Sequence, residues 1–129
     1  MSHWQAKTKI RSTDRKFSEY IRRRDQTCVY KVRCFGQSVE WKYDLDCSHF
    51  HSRRHEGTRV DPLNADAACR KCHDWVGRTV EGMRWLKEFK LKQLGEREYN
   101  LLEIRAATYH KRDDRMDMFY IKQLLDSLE

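Results

Sequence analysis

Asn64-Ala65-Asp66-Ala67-Ala68-Cys69-Arg70-Lys71-Cys72-His73 puts two thiols three positions apart at the start of an expected helix. The helical pattern begins near Ala67–Cys69 and runs to about Arg78. A Cys-x-x-Cys pair at a helix start grips a tetrahedral ion well, and four sulfurs favour zinc. Cys28 and Cys34, separated by five residues, are the expected second half of the site. Cys47 could replace one of the four or stand apart as a buried thiol.

Upstream, residues 38–50 carry Val39, Trp41, Tyr43, Leu45, Cys47 and His49 at every second position, which is strand periodicity. Cys47 and His49 then share one face, and Asp46, Ser48 and Phe50 the other. Residues 51–64, rich in Ser, Arg, His and Gly, read as a loop with at most a short strand near Arg59–Val60.

Further upstream a helix is expected from about Arg15 to Gln26, with Phe17, Tyr20 and Ile21 on one side. Arg22, Arg23 and Arg24 lie at its C-terminal end, where cations suit the helix dipole or phosphate equally well. Downstream, Gly82 is expected to separate the cysteine-bearing helix from one at 83–94, closed by Gly95. Two more helices are expected at 96–111 and 114–128. Met118, Ile121, Leu125 and Leu128 form an apolar stripe on the last, either a homodimer surface or a cover for the domain's own core.

The 129 residues carry 27 Lys and Arg against 20 Asp and Glu, a net charge of +7. That excess points to a polyphosphate partner such as DNA. Residues 1–13 are polar and read as a mobile basic arm. Neither a signal peptide nor a membrane span is legible, so a cytoplasmic chain with reduced, metal-binding thiols is expected.

The run from Asn64 to His73, together with Asp46-Cys47-Ser48-His49-Phe50, resembles the two halves of a zinc-containing HNH (ββα-metal) nuclease motif. Phe17-Ser18, Tyr20-Ile21-Arg22, Arg24-Asp25, Ser52-Arg53 and Arg59-Val60-Asp61 are similar to phage NinG-type recombination nucleases. The resemblance covers roughly residues 14–95. It implies an α+β fold, a zinc-stapled ββα-metal core with flanking helices, in which 14–95 is the nuclease domain and 96–129 a helical extension. It implies metal-dependent hydrolysis of DNA, on branched recombination intermediates of a phage, in the host cytoplasm. His49 would be the general base, Asn64 the brace of its loop, and His73 a ligand of the catalytic cation. Asp46 and His51 compete for the second ligand position. That cation would be Mg2+ or Mn2+, or else Zn2+ or Ni2+. Cys28, Cys34, Cys69 and Cys72 would hold structural zinc, and Arg53, Arg59, Arg22 and Arg24 would contact DNA. Ser48 departs from the motif, because many HNH sequences have an acidic metal ligand there. His73 departs too, standing where the NinG-type relatives tend to have Asn. A nicking or packaging nuclease, and a zinc DNA-binding module without catalysis, are the alternatives.

Overall fold

The computed structural model describes residues 9–34 and 37–129. Most of the expected N-terminal arm lies outside the described residues. Helix α1 (Ser12–Asp25) starts where the Asp14 carboxylate accepts the Arg11 N–H at 2.8 Å. It stops where Gln26 turns left-handed (φ 63°) and donates its N–H to the Arg22 carbonyl. Phe17, Tyr20 and Ile21 are its buried face.

The long strand expected over 38–50 is only half present. Trp41–Asp44 forms a single helical turn, α2, and β1 is confined to Leu45–His49. The turn closes because the Asp44 carboxylate accepts the Glu40 N–H at 2.7 Å. The partner strand β2 (Ala65–Cys69) also has only five residues. Leu45 pairs with Cys69 and His49 with Ala65, so residues before Leu45 have no ladder to join. Tyr43 is 80% exposed, so within that stretch only Val39 and Trp41 pack against the core, and they do so from outside the sheet.

Strand β2 replaces what reads as the beginning of a helix. Alanine favours helix over strand in isolation, but here pairing with β1 and burial of the whole strand override it. Its outer edge is also held: Val29 donates its N–H to the Ala67 carbonyl at 2.9 Å, and the Asp25 carboxylate accepts the Ala67 N–H at 2.9 Å. The connection from β1 to β2 contains two short 3-10 turns, Glu56–Thr58 and Pro62–Asn64, with no strand near Arg59–Val60.

Helix α3 (Arg70–Arg78) follows β2 directly, and α4 spans Val80–Ala107. Thr79, not Gly82, divides them: its hydroxyl donates to the Trp75 carbonyl and accepts the Gly82 N–H, each at 2.8 Å. Gly82 lies in the first turn of α4, where a Cβ would collide with the Trp75 carbonyl oxygen. Gly82→Ala is therefore expected to cost about 1–3 kcal/mol of stability. Urea unfolding of the two proteins checks this, and an unchanged midpoint would contradict it.

Gly95 (φ 82°, ψ 161°) breaks α4 into two limbs, a backbone geometry open to glycine alone at little cost. The second limb buries Leu102 and Ala106, and α5 (Asp114–Asp126) buries Ile121 and Leu125. Helix α5 packs on α1, and the second limb of α4 packs on the loop between the strands. Residues 96–129 are thus laid against the motif-bearing part of the chain. The centre of the stripe considered for a dimer belongs to the chain's own core, leaving Met116, Phe119 and Tyr120 exposed. Among the described residues the fold is α+β, five helices around one two-stranded antiparallel sheet. No helix among them is long and apolar enough to cross a membrane.

Candidate metal centre and histidine cleft

Cys28 and Cys34 follow α1, Cys69 ends β2 and Cys72 lies in the first turn of α3. The fold brings their four Sγ atoms within 4.8 Å of one another, all buried. Zinc–sulfur bonds of about 2.3 Å set tetrahedral edges of about 3.8 Å, inside that bound. Backbone N–H groups point at the sulfurs, from Arg33 to Cys72 at 3.2 Å and from Lys31 to Cys28 at 3.5 Å. The Arg33 guanidinium also lies 4.2 Å from the centre of the Trp75 ring, tying this loop to α3.

Burial raises the Cys28 thiol and pushes Cys69 up to about 12. Burial opposes ionisation of Cys72 as well, but the Arg33 N–H and the neighbouring thiols outweigh it and lower that group. One thiolate is favoured and several are not, so a cation bound here would displace protons from the rest. The four cysteines fit zinc. Cys47 stands apart from them, its Sγ 4.0 Å from Nδ1 of His49, and burial pushes it up to about 12.

His49, the last residue of β1, contacts the Arg59 carbonyl through Nε2 at 3.2 Å. A carbonyl only accepts, so Nε2 carries the proton and Nδ1 keeps its lone pair. Burial, then the charge of Arg53, lowers the ring's pKa to about 4. Asn64 braces the loop that supplies this carbonyl. Its Nδ2 donates to the carbonyls of His51 and Thr58 at 3.0 and 3.1 Å, and its Oδ1 accepts the His51 N–H at 2.9 Å. Asn64 thus ties this loop to the residue after Phe50, and Arg59 supplies the carbonyl that His49 meets.

His73, on α3, places Nδ1 3.0 Å from Asp46 Oδ2. Both oxygens of Asp46 also receive Arg70, at 2.8 and 3.1 Å. Burial works against the Asp46 carboxylate, but Arg70 and His73 together hold it below the usual range. Asp46 is thus an orienting partner of His73, whose Nε2 remains for other use. His51 lies elsewhere, 3.2 Å from Glu103. Of the two residues expected to compete for the second ligand position beside His73, Asp46 lies against His73 but is shared with Arg70, and His51 turns to α4. Among the described residues only the cysteines gather three or more such donors within metal-binding reach.

Two depressions meet at His73. A cleft of about 420 Å³ between β1, α3 and α4 is lined by His49, His51, His73 and Glu103. A groove of about 570 Å³ beside it is lined by Arg22, Lys42, Arg53 and Arg70. Two arginines expected on this surface are structural instead. Arg59 and Asp14 form a buried ion pair at 2.6 Å, their side chains 3% and 1% exposed. Arg24 donates to the carbonyls of Pro62 and Ala65, each at 2.9 Å. Lys42 and Arg70 take their place on the groove. Charge runs alone do not separate buried arginines from exposed ones, so the sequence held no signal for this exchange.

Sequence reasoning also missed the buried pair of Lys90 and Asp66 at 2.8 Å, and Glu103 in the cleft. Lys90 falls one turn beyond Leu86 on the inward face of α4, a position that a charged residue occupies only with a partner. Compared with protein-family models, curated proteins and solved structures, the chain matches none.

Proposed function

We propose that this chain is a zinc-stapled HNH-type (ββα-metal) endonuclease, hydrolysing DNA phosphodiester bonds with His49 as general base. The observation that carries the reading is the pose of His49. Its Nε2 proton is given to the Arg59 carbonyl, and Asn64 fastens the loop that holds that carbonyl. The ring is thereby locked in the tautomer whose Nδ1 can take a proton from water. A ring held to about 4 is neutral throughout the physiological range.

The basic groove supplies the substrate side. Arg53 lines it; its Nε lies 4.0 Å from the Asp14 carboxylate, and the exposed part of its side chain can meet a phosphate. Arg22, Lys42 and Arg70 extend the same positive surface to His73. The zinc is structural and ties the loop after α1 to the β2–α3 junction.

A catalytic divalent cation fits the donor set. His73, with Nδ1 on Asp46, offers Nε2 in the arrangement usual for a metal-binding histidine. When bound, such a cation neutralises charge on the phosphate and on the departing oxygen. His73 would hold it, and Asp46 would fix the ring.

The preferred substrate in this reading is branched DNA, as the NinG-type resemblance suggests. Zinc-loaded protein with Mg2+ or Mn2+ is expected to cut a four-way junction faster than matched linear or nicked duplexes. Equal cutting of all three removes the branched-DNA preference, and no cutting removes the nuclease. One observation favours a zinc DNA-binding module without catalysis. Ser48, where many HNH motifs have an acidic ligand, is buried and bonded to the Tyr30 hydroxyl at 3.0 Å. That reading predicts DNA binding with no cleavage under any cation.

A further inference from the structure

Glu103 is the one carboxylate lining the histidine cleft. It comes from the second limb of α4, which the break at Gly95 frees to take its own direction. That limb is fastened to the loop between the strands at several points. His55 Nδ1 meets the Ala106 carbonyl at 3.1 Å, and Arg105 pairs with Asp61 at 2.8 Å. Gly57 sits so close to the Arg105 carbonyl that a Cβ there would collide with it. His51, opposite, is held at both backbone atoms by the Asn64 side chain. Two donors of different chemistry are thus fixed on opposing supports before any ligand arrives.

His51 Nε2 lies 3.2 Å from Glu103 Oε1. That nitrogen is buried, and it meets the carboxylate without the alignment of a strong hydrogen bond. A plain histidine–glutamate ion pair would satisfy that nitrogen. A third body bound by both would satisfy it too, and would use the carboxylate that Asp46, held by Arg70 on both oxygens, does not offer. We propose that His51 and Glu103 are ligands of a divalent cation in the cleft, so that the C-terminal limb of α4 supplies part of a metal site. One imidazole and one carboxylate suit a first-row transition ion such as Mn2+, with water completing the shell. The site rests on the hydrolytic reading only for its purpose, not for its existence.

The test is titration of Mn2+ into full-length, zinc-loaded protein, read by the electron paramagnetic resonance of free Mn2+. Glu103→Gln, His51→Gln and the exposed Glu88→Gln, a control for loss of charge on the same helix, are compared with the unaltered chain. The expected result is Mn2+ binding whose affinity falls about ten-fold or more in the first two variants and changes little in the third. Near-UV circular dichroism checks folding. Should Glu103→Gln lose its structure, His51→Gln carries the same expectation from the other donor. No binding by the unaltered chain overturns the site. So does a Glu103→Gln protein that matches Glu88→Gln, or loss of binding confined to His73→Ala. Cleavage followed in parallel separates the two proposals. Glu103-dependent Mn2+ binding without cleavage spares the site and ends the nuclease, and the reverse pattern spares the nuclease and ends the site.

Discussion

Stripping zinc from the cysteine quartet is expected to unfold the domain. Structural zinc in small domains contributes roughly 10–16 kcal/mol near neutral pH, whereas a whole domain is stable by only about 5–15 kcal/mol. Here the quartet joins the loop after α1 to the β2–α3 junction, beside the lighter ties of the Val29–Ala67 hydrogen bond and the Arg33–Trp75 contact. Without the ion, four buried thiols remain, and burial holds Cys69 at about 12. A chelator should therefore collapse the circular dichroism signal as zinc is released. Cys69→Ser should reproduce the loss, whereas Cys47→Ser, outside the quartet, should keep its zinc. A Cys69→Ser chain that folds normally and binds no metal would contradict the staple.

This staple was the most legible part of the chain, because the Cys69-x-x-Cys72 spacing reflects metal geometry directly. The strand pair was half legible. Alternation from Val39 to His49 was real in the sequence, but only Leu45–His49 has a partner across the ladder. The partner itself, Ala65–Cys69, was hidden because alanine carries helical preference and its burial on both faces is a tertiary fact. The fate of the arginines was illegible for a similar reason. Arg22 and Arg24 are two residues apart, yet one borders the groove and the other turns to the carbonyls of Pro62 and Ala65. Glu103 was invisible because its meeting with His51 depends on the break at Gly95 and on a loop docking that no local pattern records.

Replacing His49 by alanine should reduce cleavage by about 10²–10⁴-fold, the usual contribution of a positioned general base. DNA affinity should stay close to that of the unaltered chain, since the groove cations lie on α1, α2, α3 and the loop after β1. The cost in stability should be modest, because the main contacts of His49 are the Arg59 carbonyl and the tilted ring of Phe17.

The pH dependence carries a sign that distinguishes this ring from an exposed one. Burial and Arg53 depress it to about 4, so the folded protein keeps the free base as pH falls from 7 to 5.5. A ring near 6.5 would instead lose roughly ten-fold in free base by pH 5.5. kcat/KM should accordingly show no acidic limb centred near 6.5. Stability moves the other way: the unfolded chain takes up the proton below about 6.5 and the folded chain does not, so folding weakens between there and about 4.

The most direct test is supercoiled plasmid incubated with zinc-loaded protein and Mn2+, alongside His49→Ala at equal concentration. Nicked circles bearing 5′-phosphate ends, formed by the unaltered chain and nearly absent with His49→Ala, are the predicted result. Intact plasmid in both lanes, or equal nicking by the two proteins, would contradict the assignment of His49 as the base of a nuclease.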